Sequence, residues 1–407
     1  MGAQKIGLVL GPVAAGLMLL LGPPDGLNPA AWGTAALMVL MATSLLPLVV
    51  LPLIEAGTPR QVGADYAHYI VLLLLGGFII AMGIERWDLH KRIALNVIAR
   101  VGAAPKALIF GFMLATAMLS MWISNSATTL MMMPIALSAA HALGDKSGKF
   151  AAALLLGICY AASIGGVATP IGTPTNLIAI NWLQVEMGAS IGFPQWMAFG
   201  IPAAAVMIPV AWWAVTRSVP QLEGGHAVVQ RVREQLSALG RMTQPEFRAA
   251  LVFGVVALLW VSRLWTVDLI DAAGWSVLKG FNGAEVDMMI AIAGGVMMFI
   301  VPAGGGEKRA LLSWEEAERL PWGVLVLFGG GIALGNAVSR TGLSEWLGSH
   351  LSVMSSFPPI LFIAVVVALV IFLTELTSNV ATMTTLAPIL GALAVAVGMA
   401  PESLLGP

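Results

Sequence analysis

Residues 120–137 read SMWISNSATTLMMMPIAL, and residues 374–390 read TELTSNVATMTTLAPIL. Ser124-Asn125 aligns with Ser378-Asn379, Ala127-Thr128 with Ala381-Thr382, and Pro134 with Pro388, each at an offset of 254. Each word interrupts a long apolar stretch, 105–143 in one case and 357–399 in the other. Split at its polar middle, a stretch of this length gives two arms of about 18 residues, or ~27 Å of helix each. That is most of the way through a ~30 Å hydrocarbon core. A second pair of words extends the repeat: LLLLGGFIIAMGIERWDLHKRIA from Leu72 resembles LVLFGGGIALGNAVSRTGLSEWLG from Leu325, with Gly76-Gly77 on Gly329-Gly330 at an offset of 253. Two similar halves with helices broken at corresponding places are the sequence signature of a secondary transporter.

The surrounding composition agrees. The chain has 407 residues, 58% hydrophobic and 10% charged, where an ordinary soluble domain is about a quarter charged. No Asp, Glu, Lys or Arg occurs in 69–84, 107–144, 150–185, 187–216, 288–306, 320–339, 346–374 or 376–401. Runs of this length exclude a soluble enzyme, a nucleic-acid binder and a disordered chain, and predict an all-α polytopic protein of the lipid bilayer. The net charge of −1 supplies no field towards nucleic acid. Spans are predicted near 6–22, 29–54, 69–84, 150–183, 194–216, 246–265, 286–302 and 321–339, beside the two broken regions. The most polar segment, 217–248, carries five arginines and reads as a cytoplasmic connector. Its stretch 227–239 has the apolar spacing of a helix lying along the interface. Trp87, Trp182 and Trp322, near span ends, fit an aromatic belt.

Polar tips at membrane depth carry the chemistry. Where a helix breaks, backbone groups lose their partners, at a cost of several kcal/mol per group in hydrocarbon, so a break persists only where it lines a cavity or binds something. The N-terminus of the following half-helix offers free N–H groups and a partial positive charge to an anion. The C-terminus of the preceding half offers carbonyl oxygens to a hard monovalent cation. Ser120 and Ser124 are four apart and share a helix face, and Asn125 supplies both an amide oxygen and an NH₂. Thr374, Ser378 and Asn379 repeat the pattern. The alternative for each hydroxyl is a bond back to its own helix.

A third break reads SIGGVATPIGTPTNLIAINW, 163–182. Gly165-Gly166, Pro170, Gly172 and Pro174 cannot continue a regular helix, and Thr173 and Asn176 are polar at membrane depth. Such a loop turns carbonyls towards a cation with Asn176 as a polar partner, or is a plain proline kink. Glu375 is the only ionised side chain between Glu345 and Glu402. It tunes the second cation site, carries a proton, or braces the hairpin tip.

These motifs resemble the divalent anion/sodium symporter family, which includes sodium-coupled dicarboxylate and citrate transporters. The resemblance is carried by IERWDLHKRIAL (84–95), FMLATAMLSMWISNSATTLMMMPIA (112–136), SIGGVATPIGTPTN (163–176) and TELTSNVATMTTLAPI (374–389). It implies a multi-pass protein of the plasma (inner) membrane, a homodimer whose protomers each have a scaffold and a transport domain that moves by an elevator-like shift. The transport domain carries two opposed re-entrant hairpins related by an inverted repeat. The domains are then N-terminal scaffold spans over 1–68 and a first repeat over 69–216, with hairpin 105–143 and broken helix 150–183. The connector 217–248 follows, then a second repeat over 249–407 with hairpin 357–399. The resemblance places a first sodium ion on Ser120, Ser124, Asn125 and Gly172, with Asn176 close by and Thr173 behind it. A second sodium falls on Thr374, the backbone of Thr377, and Asn379, with Glu375 behind it. The carboxylates of a small dianion contact Ser124-Asn125-Ser126 and Ser378-Asn379-Val380. Where the family has Ser-Asn-Thr, Ser126 keeps the hydroxyl and Val380 loses it.

Two departures from the family pattern accompany the resemblance. The run 29–54 is too short for two crossings, so a piece is expected to be missing near residue 42. The counterpart of 163–176, expected after about residue 415, and a final span are absent, so the second repeat is expected to be truncated. The leading expectation is sodium-coupled symport of C4 dicarboxylates such as succinate, malate and fumarate, with citrate next. The rivals are transport of sulfate or another inorganic oxyanion, and a non-transporting sensor or remnant.

Overall fold

The computed structural model describes residues 45–145, 147–187, 191–220, 225–272, 281–343, 346, 359–376, 379–380, 382–383, 386–387 and 390. The predicted span 6–22 and most of 29–54 lie outside them. The chain divides into two units, Met1–Leu72 with Leu177–Ser190 and Pro321–Gly406, and Leu73–Asn176 with Ile191–Leu320. Each is described by itself. Apart from one two-stranded hairpin the regular elements of the described residues are helices, and seven of them are long and apolar enough to cross a membrane. The protein is an all-α polytopic membrane protein.

In the first unit, α1 (Leu46–Leu53) leads to α2 (Pro59–Tyr66), which is followed by α3 (Tyr69–Arg86), of which Tyr69 to Leu72 belong to this unit and the rest to the second. The sequence reading left 55–68 without an element. Its signal was a capping box: Thr58 Oγ1 accepts from Gln61 N at 3.3 Å, Gln61 Oε1 accepts from Thr58 N at 2.9 Å, and Pro59 opens the helix. Both α1 and α2 pack on α14 (Trp322–Arg340). Asp65 there accepts from Asn336 Nδ2 at 2.8 Å and faces Arg340 Nη2 at 3.5 Å. The same unit holds most of α8 (Pro174–Met187) and α15 (Pro359–Leu376).

The second unit is built on α4 (Leu89–Val101), α5 (Pro105–Ser120), α6 (Asn125–Leu143), α7 (Lys149–Val167) and α9 (Phe193–Thr216). Phe112, Met113, Leu108, Ile109 and Phe150 are fully buried where these helices meet. Lipid tails are as apolar as leucine, so close contact rather than water exclusion holds such helices together. Gly165 of α7 accordingly lies directly against the Ala117 backbone of α5. The connector forms α10 (Gly225–Ala238), whose apolar face, Val228, Val229 and Val232, is buried against α4 and α6. Arg92 of α4 grips Glu246, with Nη2 to Oε2 at 3.0 Å. Glu246 stands in the first turn of α11 (Gln244–Ala272), which packs on α12 (Gly283–Ile300).

A hairpin of β1 (Pro302–Gly304) and β2 (Glu307–Ala310) precedes the short α13 (Trp314–Ala317). The positive φ angles of Gly304, Gly305 and Gly306 are the reason three glycines stand at this turn. Trp322 is 41% exposed, as a belt residue would be, but Trp182 is 8% exposed and buried by protein. The belt assignment rested on position along the chain, which does not report what covers a side chain.

Candidate functional site

Helix α5 ends at Ser120, and α6 begins after Ser124, whose Oγ accepts from Ala127 N at 3.4 Å as the N-cap. The first backbone bond of α6 runs from Thr128 N to Ser124 O at 3.0 Å. The N–H groups of Asn125 and Ser126 precede it and have no acceptor within the helix. Ser126 is exposed.

Ser120 is fully buried. Its Oγ lies 2.8 Å from Asn125 Oδ1 and 2.7 Å from the carbonyl oxygen of Ala162. A serine hydroxyl carries one hydrogen. Only one of these two approaches is a hydrogen bond at any moment, and the other is a close approach of lone pairs. Three oxygens converging with one hydrogen among them form a donor set that a small cation satisfies.

The third break closes around this set. A Cβ on Gly166 would stand 2.5 Å from Asn125 Oδ1, and one on Gly172 would stand 2.6 Å from Gly166 O and 3.0 Å from Ser120 O. Both positions admit only glycine without movement. Thr169 Oγ1 donates to Met121 O and accepts from Gly172 N at 3.1 Å. Asn176 Nδ2 donates to Gly166 O and Thr169 O, both at 2.8 Å. Asn176 thus spends its whole NH₂ bracing the loop, and only its amide oxygen remains for an ion. Thr173 Oγ1 lies 3.2 Å from Thr175 Oγ1. The structure therefore brings Ser120, Asn125 and Gly172 together, with Ser124 at the adjoining helix cap and Asn176 as the brace behind them.

A neighbouring cluster was not anticipated from sequence. Trp122, inside the break, stacks on Phe193 at 6.5 Å and 12° and on Trp260 at 6.3 Å and 7°. Phe193 and Trp260 stack on each other at 4.3 Å and 7°, and Phe253 meets Trp122 edge-on at 5.2 Å. Each aromatic pair contributes about 0.5–1.5 kcal/mol beyond burial. Behind them Asp287 accepts from Phe193 N at 2.9 Å, its carbonyl accepts from Trp260 Nε1 at 3.0 Å, and its carboxylate faces Arg263 Nε at 3.0 Å. Both charges are buried. The available signal was that each charge interrupts an apolar helix, where an ionisable residue needs a partner.

The second word lies in the other unit. Thr374, near the end of α15, donates Oγ1 to Ile371 O at 2.8 Å, a bond back to its own helix. Asn379 is exposed, and Asn379 and Val380 are helical. Thr377, Ser378 and the side chain of Glu375 lie outside the described residues, and with them most of the second cation set.

Residues 9–405 match the citrate transporter family. The chain is 38% identical to a sodium-dependent dicarboxylate transporter of Staphylococcus saprophyticus, over 99% of this chain and 81% of that protein. A sodium-dependent dicarboxylate transporter of Staphylococcus aureus strain USA300 is 39% identical over the same shares. These are transporters rather than enzymes. A match that runs through all three breaks and nearly the whole sequence shows that the chain belongs to the citrate transporter family of divalent anion/sodium symporters.

Proposed function

We propose that the chain is a sodium-coupled symporter of small dicarboxylates, C4 acids such as succinate, malate and fumarate before citrate. The observation that carries this reading is the set of Ser120 Oγ, Asn125 Oδ1 and Ala162 O, which holds one hydrogen among three oxygens beside the open N-terminus of α6. Sodium there takes Asn125 Oδ1 together with the oxygens of Ser120, Ser124 and Gly172. The amide oxygen turned to the ion leaves the Asn125 NH₂ for the substrate. A carboxylate is then met by that NH₂, by the hydroxyls of Ser124 and Ser126, and by the N–H groups of the first turn. Each ion bound without substrate prepares the anion site, and by linkage the bound anion tightens the ion.

The second ion, on Thr374, Thr377 and Asn379, and the second carboxylate contact, on Ser378, Asn379 and Val380, belong to the same proposal. So do the homodimer, the division into repeats at 69–216 and 249–407, and the elevator-like shift. The dicarboxylate specificity named for the two relatives supports C4 acids over inorganic oxyanions. Uptake of radiolabelled succinate into proteoliposomes is expected to require an inward sodium gradient, and excess succinate is expected to compete better than citrate or sulfate. Uptake indifferent to sodium would overturn the reading.

A further inference from the structure

Beside the first break, a cavity of about 370 Å³ is bounded by Glu85 at the end of α3, by Asp88, His90 and Lys91 at the start of α4, and by Ile123 and Thr128 of the hairpin. Its charges do not cancel. Asp88 Oδ1 is paired with Lys91 Nζ at 2.7 Å, and both are well exposed. Glu85 is half-buried and has no ion-pair or side-chain hydrogen-bond partner among the described residues. His90 is buried, its Nδ1 lies 3.3 Å from Ile84 O, and burial holds its pKa below the ordinary value, so the ring is neutral at neutral pH. The hairpin wall adds no charge. With Glu85 ionised, the cavity carries one uncompensated negative charge.

The second observation is independent of charge. Thr128 is 1% exposed, lines the same cavity, and its Oγ1 has no hydrogen-bond partner. A threonine in a helix ordinarily returns its hydroxyl to a carbonyl of the preceding turn, as Thr129 does with Asn125 O at 2.8 Å. A buried hydroxyl without a partner costs free energy, and here it stands on the wall of a negatively charged cavity.

We propose that this cavity is a further cation site, holding one partly hydrated monovalent ion with the Glu85 carboxylate and Thr128 Oγ1 as its protein oxygens. A single uncompensated charge balances one monovalent ion. A divalent ion would be left with a surplus charge and with fewer carboxylates than such ions usually take. The volume exceeds that of a bare ion many times over, at ~30 Å³ per water, so the ion keeps most of its water. The dianion is repelled. Because Ile123 and Thr128 flank Ser124 and Asn125 in the chain, a cation held there raises the positive potential at the α6 N-terminus. The identity of the ion as sodium rests on the sodium-coupled reading above, whereas the site itself does not.

Equilibrium binding of radiolabelled sodium to the full chain in lipid nanodiscs tests the proposal, with Asn125→Ala and Asn379→Ala together removing the ions of the two repeated words. That double variant is expected to keep binding sodium, and adding Glu85→Gln to weaken that binding by about tenfold or more. Unchanged binding in the triple variant overturns the site. Thermal melting gives a second readout. Thr128→Val removes an unpartnered hydroxyl and is expected to melt above the wild type in sodium-free choline buffer, then to lose that advantage in saturating sodium. A Thr128→Val protein that melts with the wild type in both buffers removes Thr128 from the site. Sodium-indifferent succinate uptake with Glu85-dependent sodium binding intact would sink the transport reading and leave the cavity standing. Sodium-driven uptake with binding unaffected by Glu85→Gln would do the reverse.

Discussion

The two repeated words present the same residue types in different settings. At 120–126, Ser120 turns its hydroxyl away from α5 to Asn125 and Ala162, and Gly166 and Gly172 lie close enough to leave no room for a side chain. At 374–380, Thr374 returns its hydroxyl to Ile371 within α15, and Asn379 is exposed. The first word is braced by a third segment, 163–176, through Asn176 and Thr169. Among the described residues no such segment braces the second. At the first word, the packing of 163–176 against the break is what brings its oxygens together.

The largest test of this contrast is Asn176→Ala, which leaves Gly166 O and Thr169 O without their donor. At roughly 1–3 kcal/mol for each orphaned group, the protein is expected to lose about 2–6 kcal/mol of stability, read as a lowered melting temperature in detergent. A variant melting with the wild type would mean that the first break does not depend on its brace.

Next comes the pair Asn125→Ala and Asn379→Ala. Half-saturating sodium in succinate uptake is expected to rise ~10–100-fold for Asn125→Ala and by about tenfold or less for Asn379→Ala, the range for a buried polar group deprived of its partner. Equal losses would erase the distinction between the words. Ser120→Ala is expected to raise half-saturating sodium by about tenfold. Thr374→Ala, whose hydroxyl hydrogen is already spent on Ile371, should cost about threefold. The reverse order would place the better-formed ion site at the second word. The smallest effect is expected from Val380→Ser, which restores a hydroxyl where the repeat lacks one. It should lower the succinate concentration for half-maximal uptake by about two- to fivefold, and a variant with weaker uptake would show that Val380 is needed for packing.

Much of this was legible in the chain, for physical reasons. Charge-free runs located α3, α7, α9, α12 and α14 because a buried charge is costly in hydrocarbon. The words at 120–126 and 163–176 announced their breaks through residues that cannot continue a helix. The partners of the breaks were less visible. The third oxygen at Ser120 is the backbone carbonyl of Ala162, and a carbonyl has no sequence signature. Asn176 was read beside the ion, but two carbonyls claim its NH₂, and only packing reveals that. Arg263 and Asp287 lie on different helices, so nothing in their spacing pairs them. The helix α2 had its Thr58–Gln61 box in plain view, yet hydropathy, which found the spans, is blind to caps.

The ring stack at the break has a mechanical consequence. Trp122, Phe193 and Trp260 lie within 12° of parallel, and dispersion between flat faces has little preferred direction in the plane. Such faces resist being pulled apart far more than being slid past one another. A hydrogen bond in the same place would have to break before any slip began. Trp122 therefore ties the first break to α9 and α11 by a bearing that shears without baring a polar group.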